Sequence, residues 1–227
     1  MPAPVSVIVP TLNVARSIGP CLGAIAQGLD YGVIAEVILT DGGSSDDISE
    51  IADTIGAAFI TGPKGRGAQL SAGAKQAKAD WFLFIHADTV LAENWPQVAL
   101  SHIAQNPDKA GYFILKFDQS GLAAKTVARW ANFRSQVFDL PYGDQGLLIS
   151  RTLYDQIGGY ANIPLMEDVA MAKTLNGTLI ALDATATTSA ARYQKYGWFR
   201  QSLRNFSLLM RYKRGVDPEK LAAQYRR

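Results

Sequence analysis

The chain has 227 residues, 48% of them hydrophobic, which is enough for one ordinary domain with a sizeable core. The net charge of +2 conceals an asymmetry: residues 192–214 contain seven Lys or Arg and no acid, while the rest contains 15 basic and 20 acidic residues. No run approaches the roughly 18 consecutive apolar residues of a membrane-spanning helix. A single cysteine and an N-terminus without a signal-peptide pattern predict a cytoplasmic protein.

The first half of the chain alternates predicted strands and helices. Short apolar runs predict strands at residues 5–10, 34–40, 57–61 and 81–85. Apolar residues at helical spacing, or a run of small residues, predict helices at 18–29, 48–55 and 68–78. Ser45 is the predicted N-cap of the second helix. This alternation predicts an α/β fold with a mostly parallel central sheet flanked by helices.

The pattern changes after residue 106. It predicts an antiparallel strand at 111–117, a long amphipathic helix at 122–138, a strand at 146–150, a helix at 166–176 and a strand at 178–182. Because no repeat or low-complexity linker interrupts the chain, we expect a single domain over 1–227. Within it we expect a nucleotide-binding half (about 1–106), an acceptor half (about 107–193) and a basic helical tail (194–227).

Acidic residues stand where predicted strands end. Asp41 and Asp88 each follow an apolar strand, and the pair Glu167-Asp168 precedes a predicted helix. In open α/β sheets, ligands bind outside the carboxyl ends of the strands. Acids at this edge suit a nucleoside, a divalent metal and an acceptor hydroxyl, and so indicate group transfer from a phosphate-bearing donor. The chain has no Walker A sequence, and Gly65-Arg66-Gly67 does not complete a dinucleotide fingerprint.

Seven short motifs occur in a fixed order along about residues 5–193. They are residues 5–13, 41–46 (Asp-Gly-Gly-Ser-Ser-Asp), 64–69, 84–89 (Phe-Ile-His-Ala-Asp-Thr), 142–146, 158–160 and 164–168 (Pro-Leu-Met-Glu-Asp). This ordered set resembles the family 2 glycosyltransferases, which have the GT-A fold. In particular it resembles the compact bacterial members without a membrane-spanning segment.

The resemblance implies a site for a nucleoside-diphosphate sugar. Its predicted contacts are Pro10, Thr11, Asn13, Asp41, Lys64, Arg66, Gln69 and His86. Asp41 matches the acid that binds the base in the family, and Lys64 and Arg66 lie in a glycine-rich loop suited to a diphosphate. Arg192 is a further predicted diphosphate contact, in a segment where related sequences often have two arginines.

The resemblance also implies a metal and a catalytic base. Asp88 matches the direct ligand of Mn or Mg, but this chain has His86-Ala87-Asp88 where most members have Asp-X-Asp. Glu167 and Asp168 match the acidic pair that supplies the base in inverting members, with Asp168 as the base itself. Asp144 and Gln145 are expected to face the acceptor or the donor sugar.

The basic tail has two interpretations. Phe199, Leu203, Phe206 and Met210 form one helical stripe beside several arginines. Such a helix either packs its stripe on the domain or lies on an anionic membrane, which would place the protein at the inner face of the membrane and suit a lipid-linked acceptor.

The sequence therefore predicts a metal-dependent, inverting glycosyltransferase with a hydroxyl acceptor. A sugar nucleotidyltransferase and a non-catalytic nucleotide-sugar-binding protein are the alternatives. No motif for nucleic-acid recognition accompanies the basic tail.

Overall fold

The computed structural model describes residues 2–62 and 64–225. The strands are β1 (Val5–Thr11), β2 (Ile34–Asp41), β3 (Ala58–Thr61), β4 (Trp81–Phe84), β5 (Thr89–Leu91), β6 (Ala110–Phe117), β7 (Leu147–Ser150) and β8 (Leu179–Thr188). The helices are α1 (Gly19–Asp30), α2 (Ile48–Thr54), α3 (Arg66–Gln76), α4 (Trp95–Gln105), α5 (Leu122–Phe138), α6 (Arg151–Gln156), α7 (Glu167–Thr174), α8 (Ala191–Tyr196), α9 (Trp198–Lys213) and α10 (Pro218–Tyr225), with a 3-10 turn at Gly143–Gln145.

All eight described strands form one sheet in the order β3-β2-β1-β4-β7-β6-β8-β5. Four neighbouring pairs are parallel, and the pairs β4–β7, β6–β7 and β5–β8 are antiparallel. The predicted α/β class with a mostly parallel sheet is thereby confirmed. β6 was predicted to be antiparallel, and it is so only towards β7, because its other neighbour β8 runs parallel to it.

The order of the strands positions the site. β1 lies between β2 and β4. The chain passes from β1 to β2 on one side through α1, and it crosses from β3 to β4 on the other side through α3. In sheets of this kind, a crevice opens at the carboxyl ends of the strands where the strand order reverses. Hydrogen bonds hold the three ends together: Gly42 N–H donates to Thr11 O at 2.9 Å, and Ile85 N–H donates to Ile8 O at 3.1 Å. Asp41, the last residue of β2, is therefore a neighbour of Thr11 and of the loop that follows β1.

Apolar side chains cover both faces of the sheet. Along β1, Val7 and Val9 pack on one face in a cluster that contains Trp95 of α4, while Ile8 packs on the other face with Phe82. Trp95 is fully buried and its indole N–H donates to the Ala24 carbonyl of α1 at 2.8 Å. Burial of side chains of this size stabilises the fold by about 1.5–3 kcal/mol each.

Several predicted boundaries need correction. Ser45 is not the N-cap of α2, which begins after Asp47; the Ser45 N–H and hydroxyl instead donate to Asn13 Oδ1 at 2.9 and 3.3 Å. α3 begins at Arg66, two residues before the predicted start, because Gly65 with φ of 136° turns the chain into the helix. The strand predicted at 178–182 extends to Thr188, where it pairs with β5.

The apolar stripe of the tail lies on α9 and is largely uncovered. Phe199 is 83% exposed and Phe206 is 51% exposed, whereas Leu208 and Leu209 face the domain. The interpretation in which the stripe packs on the domain is therefore wrong for its first three members. Among the described residues, no helix is both long enough and apolar enough to cross a membrane.

Candidate active site

Asp41 holds together the loop that follows β2. Its Oδ2 accepts hydrogen bonds from the N–H groups of Gly43 and Ser44 at 2.8 and 2.7 Å, and its Oδ1 accepts from the hydroxyls of Thr11, at 3.1 Å, and Ser44. Burial raises the pKa of Asp41, but the Ser44 hydroxyl and the other donors lower it by more, so it lies below its usual value. The carboxylate therefore stays charged, and a base could reach Oδ1 only after one of the hydroxyls rotates away.

Two more of the predicted nucleotide contacts stabilise this loop. Asn13 adopts a left-handed φ of 52°, and its N–H donates to Ser44 Oγ at 2.8 Å while its Oδ1 accepts from Ser45. Gln69 is buried, and its Nε2 donates to the carbonyls of Thr11 and Thr40 at 2.8 and 2.6 Å. The Gln69 amide thus bridges the ends of β1 and β2, and its contact with the donor stays a prediction.

The same helix brings Arg66 to the acidic pair. Gly67 lies so close to the next segment that a Cβ there would be 2.2 Å from the Ala161 carbonyl and 3.2 Å from the Glu167 Cβ. This approach places Arg66 Nη1 3.5 Å from Glu167 Oε1, with side chains that are 42% and 2% exposed. The start of α3 and the start of α7 therefore meet at an arginine–glutamate pair.

Burial and neighbouring charges together raise the pKa values of both members of this pair. Burial raises the pKa of Glu167, and the adjacent Asp168 raises it further, while Arg66 offsets only part of the shift. Burial lowers the pKa of Arg66, but the carboxylates of Glu167, Asp144 and Asp168 more than offset it. Arg66 is thus a permanent cation among three acids.

Asp168 is fixed by backbone N–H groups. Its Oδ2 accepts from Gly143 N–H at 2.9 Å, and its Oδ1 accepts from Val169 N–H at 2.7 Å. α7 begins sharply because Met166 has a left-handed φ of 70°, which directs Glu167 and Asp168 into the first turn. The carboxylate is partly exposed and held in one orientation, as a base for an acceptor hydroxyl requires.

His86 connects the end of β4 to this cluster. Its Nδ1 lies 3.2 Å from Asp144 Oδ1, and a Cβ on Gly143 would lie 2.5 Å from its Nε2, so glycine lets the ring approach. Burial raises the pKa of Asp144, but the hydrogen bond from His86 and the charges of Arg66 and Arg134 lower it by more. His86, Gly143, Glu167 and Asp168 line one small cavity.

Asp88 stands apart from these carboxylates. It lies in the exposed turn between β4 and β5, and no hydrogen bond or ion pair of its side chain is found within 2–62 and 64–225. In that same part of the chain, no three His, Cys, Asp or Glu side chains gather as a metal site. One exposed carboxylate fits Mg²⁺ or Mn²⁺ only as a single oxygen ligand, with the others coming from a substrate phosphate and water.

Three other predicted residues lie at the margins of the site. Gln145 is 0% exposed; its Oε1 accepts from Ser135 Oγ at 2.6 Å and its Nε2 donates to the Phe113 carbonyl at 3.1 Å. Its contact with a sugar stays a prediction. Exposed Lys64 extends towards Gly43. Exposed Arg192 stacks on Tyr225, 4.5 Å from the ring centre. Pro10 is partly buried within β1.

The sequence analysis missed some residues of the site. Ser44 is both a donor to Asp41 and the acceptor for Asn13, and an Asp followed by Gly-Gly-Ser is a recognisable turn pattern that could have identified it. Arg134 of α5 stacks on Tyr142 at 3.4 Å from the ring centre and donates to the Leu140 carbonyl at 2.9 Å. No local pattern indicates that second contact, because an amphipathic helix does not reveal which loop its polar side faces.

Comparisons with known proteins agree with these observations. The sequence model of the family described as Glycosyl transferase family 2 matches residues 6–160. A protein named PGL/p-HBAD biosynthesis glycosyltransferase, found in Mycobacterium bovis and in Mycobacterium tuberculosis, is 31% identical in an alignment of 179 residues that covers 70% of this chain. The chain spans 64% of the length of these relatives.

Solved structures share the fold at low sequence identity. The S. aureus TarS fragment 1–349 matches 82% of this chain and 60% of its own with a TM-score of 0.64 and 18% identity. Glucosyl-3-phosphoglycerate synthase from Mycobacterium tuberculosis, solved with Mn²⁺, UDP and glucosyl-3-phosphoglycerate, matches 82% of this chain and 70% of its own with a TM-score of 0.58 and 17% identity. These likenesses identify the central sheet and its helices as the GT-A fold.

Proposed function

Because the chain belongs to glycosyltransferase family 2, we propose that it transfers a sugar from a nucleoside-diphosphate sugar to a hydroxyl acceptor, with inversion and with a divalent metal. The observation that carries this proposal is the fixed carboxylate of Asp168 beside the Arg66–Glu167 pair. These groups combine a base for an acceptor with a cation for a departing diphosphate. The TarS and glucosyl-3-phosphoglycerate synthase structures determined with UDP or a UDP-sugar support a nucleotide-linked donor.

The donor would occupy the crevice at the ends of β1, β2 and β4, in the half formed by about residues 1–106. Once the hydroxyls that cover Asp41 rotate, the Asp41 carboxylate would accept hydrogen bonds from the base of the nucleotide, and the Thr11 hydroxyl would donate to that base. Asn13 would stabilise the loop. Lys64 and Arg66 approach the diphosphate, with Arg192 as a further contact. Arg66 pairs with Glu167 and is influenced by the charges of Asp144 and Asp168. The arginine would stabilise the diphosphate that leaves on one side of the sugar, while a carboxylate of this cluster receives the proton of the hydroxyl that attacks from the other side.

Asp88 would hold the metal, with the donor's phosphate oxygens as further ligands. When bound, Mg²⁺ or Mn²⁺ supplies Lewis-acid neutralisation of the leaving diphosphate. His86 keeps Asp144 charged, and Asp144 faces the sugar or the acceptor in the half formed by about residues 107–193.

Asp168 would take the proton of the acceptor hydroxyl. Gly143 N–H holds its Oδ2, so the carboxylate keeps its position while the oxygen of the acceptor attacks the anomeric carbon from the face opposite the diphosphate. Such a direct displacement inverts the anomeric centre. Pairing with Arg66 and a raised pKa both reduce the free-energy cost of burying Glu167.

Thermal stabilisation by nucleotide sugars tests the proposal. UDP-, GDP- and dTDP-sugars are each added with and without Mn²⁺ to the wild type and to Asp88→Asn. Ligand at about 100 times Kd stabilises a protein by about 2.7 kcal/mol. We expect a metal-dependent shift with one nucleotide that Asp88→Asn loses, whereas no shift with any of the three would contradict the proposal.

The acceptor and the tail belong to the same proposal. An acceptor linked to a lipid, and contact of residues 194–214 with a membrane, are supported by the exposed apolar residues of α9 and the basic residues among them. Protein held at the surface of a membrane by α9 would meet such an acceptor without a spanning helix.

A further inference from the structure

A groove of about 310 Å³ opens between the end of β6 and the helices α5 and α9. Leu115 and Phe117 of β6 form its floor, Val127 and Ala131 of α5 form one wall, and Met210 is part of the wall formed by α9. This volume is at the lower end of the range of small-molecule pockets, about 300–1,000 Å³. A helix of another protein, about 10–12 Å wide with its side chains, would not fit into it.

One part of this groove is the candidate active site itself. Tyr142 and Asp144 line the groove, and Asp144 is the partner of His86 at 3.2 Å. Gly143, between them in the chain, donates its N–H to Asp168. A molecule in the groove would therefore have one part beside the catalytic carboxylates.

The remainder of the groove is mostly apolar and open to solvent, with Arg134, Asn205 and Lys213 among its polar lining residues. Trp130 and Phe138 of α5 and Phe206 of α9 line it, and each is more than half exposed. Aromatic side chains that flank an apolar groove in this way remain in contact with water unless a ligand covers them.

We propose, on the basis of the transferase function above, that this groove binds the acceptor and that the acceptor is amphipathic. Its hydroxyl-bearing head lies beside Asp144 and Asp168, and its alkyl or aryl body lies along β6, α5 and α9. Covering the groove removes apolar surface from water at about 25 cal/mol per Å², so an apolar body raises the affinity for the acceptor. The groove therefore selects acceptors with an apolar part over free sugars.

Calorimetric titration with two alkyl glucosides tests this assignment. n-Octyl β-D-glucopyranoside, kept below its micellar concentration, is compared with methyl β-D-glucopyranoside, which has the same head. We expect the octyl compound to bind the wild type at least about ten-fold more tightly, because each ten-fold step requires only about 1.4 kcal/mol.

Two phenylalanines of the same helix provide the matched variants. Phe206→Glu places a charge in the groove and should abolish the octyl preference, and Phe206→Ala should reduce it without adding a charge. Phe199→Glu makes the same change at an exposed position outside the groove and should keep the preference. Asp144→Asn should weaken binding of both glucosides, because it alters the contact with the head.

The outcomes separate this inference from the transferase function. Equal affinities in the wild type, an unchanged preference in Phe206→Glu, or an equal loss in Phe206→Glu and Phe199→Glu would overturn the groove as the site. Unchanged binding in Asp144→Asn would overturn the placement of the head. Donor binding is measured on the same samples by thermal shift. A donor response without octyl preference leaves the transferase function intact and overturns the groove as the acceptor site. Octyl preference without a donor response leaves an apolar binding groove, but it rejects the transferase function and with it the assignment of the ligand as an acceptor.

Discussion

At the scale of single residues, the carboxylate of Asp41 is saturated with donors. Asp41→Asn removes the negative charge, and the amide nitrogen cannot accept a hydrogen bond on whichever side it lies. The variant therefore loses the bonds either from the N–H groups of Gly43 and Ser44 or from the hydroxyls of Thr11 and Ser44. Loss of hydrogen bonds to a charged group costs about 1.5–3 kcal/mol. We therefore expect the free energy of unfolding in urea to fall by about that amount at pH 7, while Asp47→Asn, at an exposed position without a side-chain cap, changes it little.

This effect should depend on pH in a defined direction. The pKa of Asp41 is lowered by folding, so its stabilising contribution is present above the ordinary pKa of 3.8 and disappears as the pH falls through the lowered value. The difference between wild type and Asp41→Asn should be constant from pH 5 to 8 and shrink below about pH 4. A difference that grows towards acid pH would contradict the assigned hydrogen bonds.

Asp168 offers a test of chemistry separate from stability. Asp168→Asn keeps an oxygen that can accept from Gly143 N–H, but it removes the group that takes a proton. We expect transfer to slow by about 10²–10⁴-fold, the usual contribution of general base catalysis, with donor affinity unchanged. Asp155→Asn, an exposed position on α6, is the control, and a variant that retained full turnover would remove Asp168 from this role.

At the scale of elements, the contact between α3 and the segment before α7 depends on Gly67. A methyl group there would lie 2.2 Å from the Ala161 carbonyl, which is backbone and cannot turn aside. Gly67→Ala should therefore destabilise the fold by about 1–3 kcal/mol and move Arg66 away from Glu167, weakening donor binding. Gly23→Ala is the control, because that glycine of α1 has open space around it and alanine should stabilise the helix by about 0.5–1 kcal/mol. Equal effects of the two substitutions would contradict the close contact.

The elements also show which features the sequence could predict. The strands β1 to β4 and the helix α5 could be located because each has a strong local pattern of apolar residues, and the carboxylates at strand ends followed from the topology of such sheets. The roles of Gln69 and Gln145 could not be predicted, because their partners lie up to 58 and 32 residues away and both amides point inward. β5 was missed because three residues carry too little pattern, and it is a strand only through its pairing with β8.

At the scale of the whole molecule, the proposed donor half and the proposed acceptor half share one sheet. β1 and β2 carry the loop of the predicted donor site, while β6 lies beyond β7 and forms part of the groove. The His86–Asp144 contact crosses between these halves, from the end of β4 to the turn before β7. Closure of donor and acceptor sites on each other therefore needs no movement between separate domains.

The uneven distribution of charge over the molecule leads to a prediction about membranes. α9 combines exposed Phe199 and Leu203 with Arg200, Arg204 and Lys213, and basic residues near an anionic surface contribute about 1 kcal/mol each. We expect the protein to sediment with vesicles that contain phosphatidylglycerol, and less so with vesicles of phosphatidylcholine alone. We also expect 0.5 M salt to release it, because the Debye length, about 10 Å at 0.1 M salt, becomes shorter as the salt concentration rises.

Matched substitutions distinguish this contact from unspecific adsorption. Phe199→Glu removes an apolar anchor within the basic helix and should reduce binding to the anionic vesicles several-fold. Leu29→Glu makes a similar change at an exposed position of α1, a helix without Lys or Arg, and should have little effect. Equal binding to both kinds of vesicle, or equal loss in both variants, would mean that α9 is not the contacting surface. Because α9 forms one wall of the groove, binding of α9 to a membrane would place the groove at the bilayer surface. The head of a lipid-linked acceptor would lie at the same depth.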